Sequence, residues 1–149
     1  MERAFIYGDS LLKATMPDAD MRYHFHLPEV MAQYPSDRLE VVNRAKMGST
    51  ISKGLSLVEH DVQRGMDARW ALVAYGGNDS DFDWAAVAAA PHGEHRCKTD
   101  PEDFVRKYSE IIAQLREAGH EVVEQFYEPD QLGAALREFD AVVVRSKTK

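Results

Sequence analysis

Trp70-Ala71-Leu72-Val73-Ala74-Tyr75-Gly76-Gly77-Asn78-Asp79 is the stretch on which the fold turns. Its first six residues are apolar, uncharged and bounded by Gly76-Gly77, which is the pattern of a buried strand rather than a half-wet one. Upstream, Ala4-Phe5-Ile6-Tyr7 ended by Gly8, and Leu39 to Val42 followed by Asn43, read as two more strands. Ile51, Leu55, Val58 and Val62 then recur at helical spacing and stop at Gly65, a C-terminal cap. Short apolar runs alternating with amphipathic stretches mark a parallel sheet covered by helices.

Downstream, Thr99-Asp100-Pro101-Glu102 is a strong helix start: a capping side chain, proline in the first turn, then acids near the positive dipole end. Phe104, Tyr108, Ile111, Ile112 and Leu115 form its apolar face, and Gly119 closes it. Glu121 to Gln125 is a weaker strand, apolar only at Val122 and Val123; Asp130 to Phe139 is a short helix with Leu132 and Leu136 inward; Ala141 to Val144 is a final buried strand. The expectation is a single α/β domain over residues 1–149, a three-layer flavodoxin-like sandwich with a five-stranded parallel sheet in the order 2-1-3-4-5. The alternative is a four-stranded core with an unstructured tail after Tyr127. Asp79 to Lys98 has no firm assignment and follows a strand's carboxyl end, where such folds place their sites.

The formal net charge of −7 argues against a nucleic-acid partner, and Arg145, Lys147 and Lys149 read as a solvated chain end. Cys97 is the sole cysteine, so no internal disulfide forms, which fits a reducing compartment. The N-terminus lacks a basic segment followed by a long apolar one, and no apolar run approaches ~20 residues. A cytoplasmic protein with no membrane span is expected.

Three motifs sit where the first three strands end. In Gly8-Asp9-Ser10-Leu11 the serine projects from the sheet's carboxyl edge, and a helix beginning just beyond it would aim backbone N–H groups at an anion. The same residues also suit a plain turn in which Asp9 or Ser10 caps a helix. In Gly76-Gly77-Asn78-Asp79 the Asn78 amide can serve a developing oxyanion, or the four residues can simply turn the chain. Gly48 can supply a backbone N–H, or merely precede a helix starting near Ser49-Thr50. Their joint placement is far more specific than any one of them.

Together these blocks resemble those of the SGNH hydrolases, also called the GDSL family, over roughly residues 1–119. The wording Gly48-Ser49-Thr50-Ile51 and Asn78-Asp79-Ser80-Asp81-Phe82-Asp83-Trp84 is similar to a bacterial subgroup of lipase-like acylhydrolases. The resemblance implies Ser10 as nucleophile, with an oxyanion hole from the backbone N–H groups of Ser10 and Gly48 and the side chain of Asn78. It also implies a late Asp-x-x-His block carrying the general base. No Asp-x-x-His occurs in residues 1–149, and all six histidines lie at or before residue 120.

Glu117-Ala118-Gly119-His120-Glu121-Val122-Val123 and Phe139-Asp140-Ala141-Val142-Val143-Val144-Arg145 instead resemble the N-terminal, flavodoxin-like segment of D-2-hydroxyacid dehydrogenases of the phosphoglycerate dehydrogenase type. No Gly-x-Gly-x-x-Gly is present, so neither NAD nor any other cofactor is implied. The two resemblances imply a chimera joined near Leu115 to Gly119, whose sheet is completed by a βαβ segment over residues 120–149.

His92 and His95 lie in the unassigned stretch and read as solvated loop residues; His60 sits on a helix beside Glu59 and reads as a surface residue; His24 and His26 flank Phe25 without a pattern. His92-x-x-His95-x-Cys97 has metal-ligand residue types but no second pair at standard spacing, and Asp79, Asp81 and Asp83 lack the glycine and terminal glutamate of a calcium loop. No metal is expected. The expected function is a serine ester hydrolase on small acyl esters, impaired for want of its base; the alternatives are a non-catalytic scaffold with vestigial motifs, or an anion- or nucleotide-binding module. An exposed Ala141–Val144 edge would favour homodimerisation.

Overall fold

A computed structural model describes residues 2–13, 15–25, 28–29, 32, 37–120 and 141–145. β1 (Glu2–Gly8) leads through a three-residue 3-10 turn (Leu11–Lys13) into an antiparallel ribbon of β2 (Thr15–Pro17) and β3 (Tyr23–Phe25). Then come β4 (Leu39–Asn43), α1 (Ile51–Gln63), β5 (Trp70–Tyr75), α2 (Trp84–Ala89), α3 (Pro101–Glu117) and β6 (Ala141–Arg145).

The apolar runs become neighbours. β1 pairs in parallel with β4, from Glu2↔Leu39 to Ile6↔Asn43, and with β5, from Ala4↔Trp70 to Gly8↔Ala74. The carboxyl ends of β4, β1 and β5 therefore share one edge. β5 pairs on its other side with β6, from Ala71↔Ala141 to Tyr75↔Arg145, so the described sheet runs β4-β1-β5-β6, all parallel.

This α/β architecture is the expected class, but the expected order 2-1-3-4-5 is corrected at its far end. That order put a strand at Glu121–Gln125 between the third strand and the last; β5 and β6 instead pair directly through five consecutive partners. Residues 121–125 lie outside the described residues, as does the helix expected over 130–139. The position beside β5 requires apolar residues on both faces, which Val142-Val143-Val144 offers and Glu121 and Glu124 do not.

Alternation along the strands builds the core. Phe5 and Tyr7 of β1, and Ala71, Val73 and Tyr75 of β5, are buried against Ile51 and Val58 of α1 and Ile111 and Leu115 of α3. α1 and α3 thus cover one face together, tied also by Lys107 Nζ to Ser52 Oγ at 2.7 Å and Gln114 Nε2 to Glu59 Oε1 at 3.2 Å. α3 starts as read, with Asp100 Oδ1 accepting from the Glu102 N–H at 3.0 Å and Pro101 in the first turn. The start of α1 is different. Thr50 occupies the cap position without a side-chain bond, and the carboxylate of Asp79 takes the Ile51 N–H instead, at 3.0 and 3.1 Å. Gly54, inside α1, costs about 1 kcal/mol relative to alanine in a helix. Its reason is close approach: a Cβ there would stand 2.4 Å from Tyr75 Cε2.

Candidate active site

The Ser10 turn is made by Asp9. Its buried carboxylate accepts the Leu11 N–H on Oδ1 at 2.9 Å, and the Lys13 N–H closes on the Ser10 carbonyl at 3.2 Å. Of the two readings left open for the chain beyond Ser10, a helix and a plain turn, the structure has only the 3-10 turn Leu11–Lys13, after which the chain enters the ribbon. The Asp9 side chain captures an N–H locally, and Pro17 cannot continue a helix, so no long helix aims its dipole at Ser10.

The loop after β4 is stitched to this turn. Asn43 accepts the Ala45 N–H at 2.7 Å and donates Nδ2 to the Leu12 carbonyl at 3.1 Å, while the Lys46 N–H reaches the Gly8 carbonyl at 3.0 Å. Gly48 follows, exposed and left-handed at φ +71, a conformation that a side chain would strain. From the end of β5, Asn78 donates Nδ2 to the Ser49 carbonyl at 2.9 Å. One N–H of the amide is thus used to hold the Gly48–Ser49 loop, and the other remains. The structure brings Ser10, Gly48 and Asn78 to one edge, on three adjacent strand ends with β1 in the middle.

Asp79 lies beneath them, 3% exposed. Besides the two bonds to the Ile51 N–H it accepts from Thr99 Oγ1 at 2.6 Å, and its carbonyl accepts the Thr99 N–H at 3.1 Å. Asp79, Asp81 and Asp83 therefore do not form one solvated acidic loop; each carboxylate has its own partners. Asp83 caps α2 through the N–H groups of Ala85 and Ala86. Asp81 accepts from Lys98 Nζ at 2.7 Å and Trp84 Nε1 at 2.8 Å, and its carboxyl lies below the ordinary range, first because of Lys98 and then Trp84. With the Phe82↔Cys97 bridge, these contacts pin residues 79–99 at their base. Nothing in the sequence marked Asp79 as buried, because its partners lie 28 and 20 residues away.

None of the described residues hydrogen-bonds the Ser10 hydroxyl. His95 Nε2 is 2.7 Å from the Ala90 carbonyl, and His92 is exposed on the same loop. His24 Nε2 pairs with Asp18 Oδ2 at 2.7 Å on the β2–β3 ribbon, and His60 Nδ1 lies 3.3 Å from Asp61 Oδ1. His120 follows α3, its N–H on the Leu115 carbonyl at 3.0 Å; His26 lies outside the described residues. Cys97 Sγ donates to the Thr99 carbonyl at 2.9 Å, and among the described residues no three His, Cys, Asp or Glu side chains gather as a metal would require. No helix among those residues is long and apolar enough to cross a membrane.

No protein-family model and no curated protein matches the chain. Solved structures do. The chain is similar to TesA with a TM-score of 0.51 and 17% identity, covering 95% of this chain and 77% of that one. It is similar to AlinE4, an SGNH-hydrolase family esterase, with a TM-score of 0.53 and 18% identity over 96% of this chain and 75% of AlinE4. A third is the psychrotrophic esterase EstA from Pseudoalteromonas sp., inhibited by monoethylphosphonate, with a TM-score of 0.52 and 12% identity over 98% of this chain and 78% of EstA. At these identities the likeness is one of fold: the parallel sheet and covering helices are shared with these three proteins. It runs over nearly the whole chain and lends no support to a dehydrogenase origin for the C-terminal segment.

Proposed function

We propose that the chain is an SGNH-type serine ester hydrolase acting on small acyl esters, slow because none of the described residues is positioned as a base for Ser10. The observation that carries this reading is the Asn78–Ser49 hydrogen bond of 2.9 Å, which orients one amide N–H and leaves its geminal N–H for an oxyanion. The backbone N–H groups of Ser10 and Gly48 are the other two donors. Leu11, 76% exposed, and Met47, 49% exposed, flank Ser10 and Gly48 with apolar surface suited to an acyl or alcohol group.

In this mechanism Ser10 Oγ bonds to the acyl carbon and the carbonyl electron pair moves onto oxygen, where the three donors stabilise it. The serine proton passes to water. Collapse expels the alcohol, which takes up a proton, and a second water cleaves the acyl-enzyme. Without its base, a serine site of this type retains ~10³–10⁴-fold catalysis over water. We extend the proposal to residues 120–149 as a joined βαβ segment of the dehydrogenase type, on the sequence resemblance and the seating of β6 against β5. The outer edge of β6 is a proposed homodimer contact, which a strictly monomeric species at high concentration by light scattering would remove.

The test is hydrolysis of p-nitrophenyl acetate by the parent and by Ser10→Ala. Slow turnover by the parent, lost in the variant, with almost none on an unactivated ester, is the expected result. Equal rates in both would overturn the reading in favour of a non-catalytic scaffold. Turnover near an ordinary enzyme's ~10 s⁻¹ would mean that a histidine has taken over as base, and His95→Ala should then abolish it.

A further inference from the structure

The end of β5 carries one buried polar atom that the proposed chemistry leaves unused. Tyr75 is 2% exposed, and its hydroxyl has no hydrogen-bond partner among the described residues. Packing does not explain the hydroxyl, since phenylalanine would fill the same space and leave no buried donor unmet. Yet α1 carries a glycine to admit the ring: a Cβ on Gly54 would stand 2.6 Å from Tyr75 Cζ, the carbon that bears the hydroxyl.

That ring tip lies one helical turn from the Ile51 N–H, where the Asp79 carboxylate is anchored. Asp9 is the second buried carboxylate here. Its Oδ1 holds the Leu11 N–H, and its Oδ2 lies 3.4 Å from where a Cβ of Gly77, two residues past Tyr75, would stand. Burial first, then the negative charges of Asp9 and Asp79, raise the Tyr75 phenol well above its ordinary value. It stays a protonated donor in the field of those two carboxylates. One of those carboxylates shapes the Ser10 turn; the other fixes the start of α1, behind the Gly48–Thr50 loop.

We propose that Tyr75 is a positioning residue, whose O–H donates to one bridging water that in turn donates to Asp9 and Asp79, and so locks the Ser10 turn against the loops bearing Gly48 and Asn78. Its consequence for rate rests on the esterase reading; its geometry does not. A plain packing fault would behave differently, because removing an unmet buried hydroxyl leaves local order untouched or improves it.

The experiment is Tyr75→Phe, read by amide hydrogen exchange and by p-nitrophenyl acetate hydrolysis. Exchange at Leu11 and Ile51 should quicken about tenfold, the equivalent of one net hydrogen bond, while Val58 and Ile111 in the core stay protected. The kcat should fall about 10- to 100-fold with KM unchanged, as for a small misplacement of reacting groups. Unchanged exchange at Leu11 and Ile51 overturns the proposal, and so does faster exchange with unchanged kcat in a parent that depends on Ser10. If the parent and Ser10→Ala prove equally inactive, the esterase reading falls, and the exchange result alone decides whether Tyr75 holds the two loops.

Discussion

Two buried tyrosine–aspartate pairs sit at opposite ends of α1 and are completed differently. Toward its C-terminal end, Tyr7 donates to Asp61 Oδ2 at 3.0 Å, and Arg44 grips the same carboxylate with Nε at 3.0 Å and Nη2 at 2.8 Å. A cation and a phenol satisfy that carboxylate outright. At the N-terminal end, Asp79 pairs with no cation among the described residues. It holds the Ile51 N–H and the Thr99 hydroxyl, and the Tyr75 hydroxyl beside it has no partner among the described residues. The closed pair fastens β1, the chain after β4, and α1 into one body. The open pair lies at the carboxyl edge, by the strand ends that carry Ser10 and Asn78.

If that division is real, the two ends should fail in different assays. The largest effect belongs to the open end. Asn78→Ala should lower the residual rate on an activated ester by about 10²–10³-fold, the worth of one oxyanion donor, with a stability cost of only about 1 kcal/mol from the lost bond to Ser49. At the closed end, Asp61→Ala should cost about 3 kcal/mol in chemical denaturation, the low end for a broken buried pair because Arg44 is 39% exposed, and leave the rate alone. A rate loss in Asp61→Ala matching that of Asn78→Ala would erase the distinction.

Gly54→Ala tests the open end without touching a polar atom. Alanine would favour the helix by about 1 kcal/mol, but overpacking against the Tyr75 ring typically costs about 1–3 kcal/mol. A net loss of about 1 kcal/mol is expected by denaturant titration. A gain would mean that the ring moves aside freely and that Tyr75 is not seated by α1.

The same contrast explains which parts of the structure the sequence exposed. Trp70–Tyr75 was readable to the residue, because six apolar residues between charge and glycine fit only a buried strand. The start of α3 was readable because its cap, Asp100, lies beside the helix it serves. Ser10, Gly48 and Asn78 could be placed on one edge because each ends a strand of the same parallel sheet. The start of α1 was not readable, since its capping carboxylate comes from Asp79, nor was the 3-10 turn after Ser10, which depends on where Asp9 points. The seating of β6 directly beside β5 is a pairing choice, a property of the assembled sheet. Long-range polar contacts and pairing order leave no local period to read.

The smallest effect is spread over pH. Tyr7 and Tyr75 are both raised above the ordinary phenol, in each case by burial first, then by Asp61 for Tyr7 and by Asp9 and Asp79 for Tyr75. An acid whose folded-state pKa lies above its unfolded value keeps its proton in the fold while the unfolded chain releases it. The associated stability is therefore complete below the unfolded value of about 10 and is lost as pH rises beyond it, by about 1.4 kcal/mol per pH unit for each tyrosine. Thermal melts should be insensitive to these two groups up to about pH 9 and fall above about pH 10. Tyr75→Phe and Tyr7→Phe should each remove part of that alkaline slope. At neutral pH they should diverge in global stability: Tyr7→Phe loses a direct hydrogen bond within the core, worth about 1 kcal/mol or somewhat more because its acceptor is charged, whereas Tyr75→Phe loosens only the Ser10 turn and the start of α1 and costs less overall. An alkaline slope untouched by either substitution would mean that neither phenol resists ionisation. Equal losses at neutral pH would mean that the Tyr75 hydroxyl is as fully bonded as that of Tyr7, and that the two ends of α1 are not completed differently after all.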